Sequence, residues 1–139
     1  MMYGVVNQSG EATIPVILSN QNKQTQLIEA VIDTGYTGFL TLPHSVMVNL
    51  DFPWTGVDRV TLGDGSEVTF KVYAATVIWD GEYCKVPVNE SETEPLVGMS
   101  LLYGYESETE PLVGMSLLYG YELKIRAIAG GQVTIRKLK

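Results

Sequence analysis

Ala30-Val31-Ile32-Asp33-Thr34-Gly35-Tyr36-Thr37-Gly38-Phe39-Leu40 runs an apolar, β-prone stretch straight into a carboxylate in a tight turn. A buried strand ordinarily closes on a small polar turn. Here the turn supplies an acid, a hydroxyl and a glycine whose backbone bends sharply and approaches a neighbour closely. Asp33 is therefore the candidate catalytic residue, with Thr34, Gly35 and Thr37 supporting its loop. Asp51, Asp58, Asp64 and Asp80 have no Thr-Gly behind an apolar run and read as loop or turn residues.

Downstream stands Pro95-Leu96-Val97-Gly98-Met99-Ser100-Leu101-Leu102, an apolar pair, a glycine and a short helical segment carrying Leu-Leu. The two strings, in this order, resemble the two signatures of aspartic proteases. The likeness covers nearly the whole chain and is closest to the small, single-lobed, retroviral-type enzymes and their bacterial relatives. It implies an all-β fold: a small closed barrel-like lobe with one or two short helices, working as a two-fold homodimer. It also implies aspartic endopeptidase activity on peptides or proteins. Thr34 would reach across the dimer to lock the two loops in plane, and the signature glycine would pack beneath the active site. Tyr36 departs from the small Ala or Ser usual at that position in the family.

The second signature occurs twice. Residues 90–105 recur unchanged as residues 106–121, so Gly98 and Gly114 are equivalent candidates for the core glycine. A solenoid needs at least three units, so a tandem pair reads as an insertion. Identical flanks prevent local sequence from deciding which copy packs under Asp33. A surface excursion of this length costs little closure entropy, because that term grows only logarithmically. If copy two were the spare, Leu112, Val113, Met115, Leu117 and Leu118 would form an exposed adhesive patch.

Runs rich in Val, Ile, Thr and Tyr predict strands over 12–18, 25–32, 39–42, 59–62, 67–78, 82–88, 123–128 and 132–138. Turn formers separate them at hairpin spacing, among them Asp80-Gly81 and Gly130-Gly131. Pro43 suits a helix start and predicts a helix through Ser45 to Leu50. Gly63-Asp64-Gly65, between two strands and after the Asp33 loop, is the candidate tip of a flap covering substrate.

The length of 139 residues fits one domain, 1–139, with a single core. A formal charge of -7 argues against nucleic acid as partner, since phosphates demand a cationic face. The basic residues near the C-terminus, Lys124, Arg126, Arg136, Lys137 and Lys139, read as a solvated strand face. No apolar run approaches the roughly 20 residues that cross a bilayer, and the first residues lack a secretory pattern, so a cytoplasmic location without membrane partner is expected. With one cysteine, Cys84, and one histidine, His44, neither a zinc cage nor a cysteine–histidine nucleophile is predicted. No metal or cofactor is expected. Cys84 reads as a buried, inert thiol.

Hydrolysis by carboxylates needs two that share one proton, one to activate water and one to protonate the carbonyl oxygen. A single Asp-Thr-Gly leaves the second acid without a candidate in the same chain, and the resemblance implies the retroviral-type solution, two chains meeting about a two-fold axis and each giving one Asp33. Two rivals remain at this level: an inactive binding or assembly module on the same fold, and a structural β-domain in which Asp33 is a turn residue.

Overall fold

A computed structural model of the chain describes residues 1–61, 64–91 and 110–139. Among these the protein is mostly β. The strands are β1 (Met2–Val6), β2 (Ala12–Ser19), β3 (Thr25–Ile32), β4 (Leu40–Leu42), β5 (Trp54–Thr61), β6 (Glu67–Trp79), β7 (Glu82–Glu90), β8 (Leu112–Val113), β9 (Tyr121–Ile125) and β10 (Gln132–Lys137). Two short helices, α1 (His44–Asn49) and α2 (Met115–Leu118), complete the described elements.

The strands join in the order β5-β6-β7-β4-β8-β3-β2-β1-β10-β9, and β6 also pairs with β2. That extra pairing, Ile17↔Ile78 to Ser19↔Thr76, bends β2, β3, β8, β4, β7 and β6 into a ring. Period-2 alternation explains what fills it. Val16 and Leu18 from β2, Ala75, Val77 and Trp79 from β6, and Val86 and Val88 from β7 all turn inward and are buried. Each large aliphatic side chain so buried contributes about 1.5–3 kcal/mol. Helix α1 adds Val46 and Met47, and Leu50 and Phe52 behind it join the same core. The β6–β7 hairpin turns on Asp80 and Gly81, both with positive φ, as a two-residue hairpin loop of matching twist requires.

Strand β8 decides where the site lies. Strands β3 and β4, joined by the Asp33 loop, do not pair with each other. Between them lies β8, parallel to β3 (Val31↔Leu112, Ile32↔Val113) and antiparallel to β4 (Leu40↔Val113, Thr41↔Leu112). Two steps across a sheet hold the loop's feet about 10 Å apart.

Copy two of the duplication fills this slot. Val113 is 0% exposed, Leu117 6% and Leu118 4%, and Tyr121 sets its ring edge-on to Trp79 at 6.1 Å. Chain connectivity explains the choice. Seating copy two puts the additional residues between Ser91, whose N–H donates to Leu42 O at the end of β7, and Glu110. Seating copy one would put them between the residue equivalent to Tyr121 and Glu122, adjacent rungs facing Lys137 and Arg136. That would split a strand, whereas the observed arrangement lengthens a connection.

Several sequence expectations shift. Strand β5 begins at Trp54 instead of residue 59, so Asp58 is a strand residue and not a loop residue. Strand β9 starts two residues earlier than expected and ends at Ile125 instead of 128. Strand β1 was not anticipated, because Gly4 interrupts its pattern; there β1 passes so close to β2 that a Cβ would sit 1.9 Å from Thr13 O. Cys84 is half-buried instead of buried, though it packs against the core. No helix among the described residues is long and apolar enough to cross a membrane.

Candidate functional site

Asp33 follows directly on β3, where the chain leaves the sheet. Its N–H donates to Val113 O (2.9 Å), and its Oδ1 accepts from Gly35 N–H (2.9 Å). The turn closes when Tyr36 N–H donates to Asp33 O (3.1 Å). The carboxylate is thus oriented by its own loop, and half-buried. The far side of the loop is held by copy two. Gly114 N–H donates to Phe39 O, Met115 N–H to Tyr36 O and Ser116 N–H to Gly38 O, at 2.8–3.1 Å. Ser116 Oγ–H donates to Thr37 O (2.5 Å), and Leu112 N–H donates to Thr41 Oγ1 (2.9 Å). Orphan loop amides and carbonyls therefore find partners, as buried backbone requires.

Gly114 packs directly against the loop that follows Asp33. A Cβ there would lie 2.3 Å from Gly38 O and 2.5 Å from the Tyr36 ring. Its equivalent Gly98 lies outside the described residues. Thr34 and Gly35 are exposed at the loop's crest, and Thr34 has no hydrogen-bond partner among the described residues. Thr37 contributes its carbonyl to Ser116 while its side chain faces solvent.

The sequence flagged Tyr36 only as a departure, and the structure gives it a place. The ring lies over Gly38, where a Cβ would come within 2.3 Å of the phenol oxygen, and against Gly114. Two missing side chains make room for one large one. Burial, and then the charge of Asp58, push the Tyr36 phenol up to about 12. Ultraviolet titration is therefore expected to show one tyrosine that resists ionisation until about pH 12. Replacing Asp58 by Asn should lower that value, burial alone keeping it above an ordinary phenol. An unshifted titration in the variant would show that Asp58 does not face Tyr36.

Asp33, Gly35, Tyr36, Thr37, Gly38, Thr41, Asp58, Phe70, Asn89, Ser91, Glu110 and Leu112 line one open cleft of about 670 Å³. That volume lies within the range of ordinary ligand sites. The hairpin β5–β6 provides one wall, because only its inner half is fixed to β7 and β2 while its outer half pairs with itself. At its far end Ser66 donates both Oγ–H (2.6 Å) and N–H (2.9 Å) to Asp64 Oδ1, which holds that carboxyl below the ordinary range. Asp64 thus serves its own turn, and Gly65 takes the positive φ the turn needs. Gly63 lies outside the described residues. Glu110, at the cleft's rim, is held above the usual range by partial loss of water and then by its hydrogen bond with, and the charge of, Glu11.

A second groove that also reaches Asp33 is lined by Val6, Ala12, Ile32, Ile125, Ala127 and Ile128 among others. Ile125 and Ile128 are exposed. Among the described residues no cluster of His, Cys, Asp and Glu could hold a metal ion. His44, at the start of α1, pairs its Nδ1 with Glu90 and lines no part of the cleft.

Sequence reading missed Asp58, Asn89 and Ser116 as parts of the site. Asp58 and Asn89 reach it only through strand register, and Ser116 only through the choice of copy. No family model matches the chain, and no curated protein matches it at a significant level.

Proposed function

We propose that this chain is an aspartic endopeptidase that acts as a homodimer, each subunit contributing one Asp33. The observation that carries the reading is the placement of Asp33. It sits after a strand with one face buried, is oriented by Gly35 N–H, is fixed from behind by Val113 and Gly114, and opens into a peptide-sized cleft beneath a hairpin arm. Among the described residues the same cleft supplies no nucleophile–base pair, since its lining there includes no histidine or cysteine. A carboxylate acting on water is the chemistry left to these residues.

In the dimer the two Asp33 groups hold one water between them and share one proton. The ionised member takes a proton from the water as its oxygen attacks the scissile carbonyl. The protonated member gives its proton to the carbonyl oxygen. The tetrahedral diol then collapses, the C–N bond breaks, and the amine leaves with a proton returned through the pair. No covalent intermediate forms. The arm covers the peptide and limits water, and the extended backbone lies as an added strand between arm and floor. Exposed Thr34 is free to meet its twin, and exposed Ile125 and Ile128 in the groove beside Asp33 give a second copy apolar surface to cover.

Dilution tests the reading. With an unfolded protein as substrate at mildly acidic pH, specific activity should rise with enzyme concentration in step with the dimer fraction found by sedimentation, and a statine-type inhibitor should block it. Activity that stays proportional to a purely monomeric population would overturn the two-chain mechanism. Peptide binding without any turnover would leave the binding-module alternative.

A further inference from the structure

The face of the β5–β6 arm that looks into the cleft is apolar except at one position. On β6, Glu67, Thr69 and Lys71 take one face, and Val68, Phe70 and Val72 take the other. Register carries the second face across the arm: Asp58 stands opposite Phe70, Gly56 opposite Val72, and Val72 in turn opposite Asn89. Directly opposed residues share a face. An otherwise apolar face therefore holds one carboxylate, and that face looks into the cleft, where Asp58, Phe70 and Asn89 all contribute lining. The arm's cations, Arg59 and Lys71, lie on the outer face with Thr69.

Asp58 is exposed and makes no ion pair among the described residues. Among the described residues the cleft's lining contains no Lys, Arg or His, and its charged members there are Asp33, Asp58 and Glu110. Ser91 provides an independent observation. It is 9% exposed, lines the same cleft, and keeps its Oγ without a hydrogen-bond partner among the described residues. A buried hydroxyl left unpaired is costly, so the site is incomplete without a further donor or acceptor. An ammonium or guanidinium group carries only donors. It matches a carboxylate and an unpaired hydroxyl oxygen together, while an anionic group would meet repulsion from every charge present.

We propose that Asp58 is a specificity-determining residue that selects peptides presenting a Lys or Arg side chain to the cleft, with the Ser91 hydroxyl as a second acceptor. The inference deepens the protease reading and names its substrate class. The long aliphatic stem of Lys or Arg lies along Phe70 while the charged end reaches the acceptors. A semi-enclosed wall strengthens the attraction relative to open water.

Binding is measured apart from cleavage, using full-length Asp33→Asn protein and pairs of peptides that differ only by Lys or Gln at one position. At low salt the Lys peptide should bind at least about tenfold more tightly, the advantage shrinking as salt is raised. Adding Asp58→Asn should erase the advantage, Asp58→Lys should turn it toward Glu-bearing peptides, and Ser91→Ala should reduce it by less. Circular dichroism verifies that each variant is folded. In parallel, cleavage sites made by the active protein should be enriched in Lys or Arg at a fixed position. Lys preference without cleavage upholds this inference and removes the protease reading. Cleavage with equal binding of Lys and Gln peptides does the reverse, and no binding at all overturns the inference.

Discussion

Asp33→Asn should reduce peptide hydrolysis by roughly 10⁴-fold or more, because acid and base are lost together when both members of the pair change. Asn keeps the shape of Asp and still accepts from Gly35 N–H through its carbonyl oxygen, so the loop geometry of Asp33 survives. What disappears is the exchangeable proton. Subunit mixing makes the test sharper. When equal amounts of variant and native chains are dissociated and reassembled, only dimers with two native chains retain the pair, and about one quarter of the activity should remain. A linear loss, to about half, would mean that each chain works alone and would remove the shared-proton mechanism. Residual cleavage unaffected by the variant would identify a contaminant.

Gly114→Ala should lower stability by about 3 kcal/mol or more, a large part of the 5–15 kcal/mol typical of a domain. Its Cβ would fall 2.3 Å from Gly38 O and 2.8 Å from Tyr36 O, both backbone atoms that cannot swing aside. Relief would require lifting the loop that carries Asp33, so activity should fall with stability. Gly98→Ala changes the same residue within the same sixteen-residue context and should stay within about 0.5 kcal/mol of the parent, because copy two holds the slot. Urea denaturation of the two variants measures the contrast. Equal destabilisation by both would show that the copies share the slot, contrary to the seating described. A stable Gly114→Ala paired with an unstable Gly98→Ala would reverse the assignment.

The Asp33 loop was legible because its meaning is local: an apolar run, an acid, a hydroxyl and a glycine in consecutive positions. Strand β3 was read to the residue for the same reason, and the existence of β2, β6, β7 and β10 followed from their alternation. Strand β8 escaped because two residues cannot display a period, and only its neighbours β3 and β4 make it a strand. Asp58 escaped because Pro53 and Gly56 weaken the strand signal just before it, and its direction depends on register with Phe70 across the hairpin. Which copy packs was undecidable from identical strings, since connectivity to β7 and β9 decides it. Tyr36 was readable as unusual, but the space for its ring comes from Gly38 and Gly114, one nearby in sequence and one far away.

The clamp on the Asp33 loop comes from far down the polypeptide: Ser116 reaches Thr37 across 79 residues. During translation, therefore, Asp33 leaves the ribosome long before anything exists to hold its loop. Strand β8 and α2 must first clear the exit tunnel, and such late, long-range closure is slow compared with local hairpin formation. A nascent chain of this protein therefore carries its acid in an unassembled loop until the residues through Leu118 have emerged, and whatever Asp33 does becomes possible only from that point.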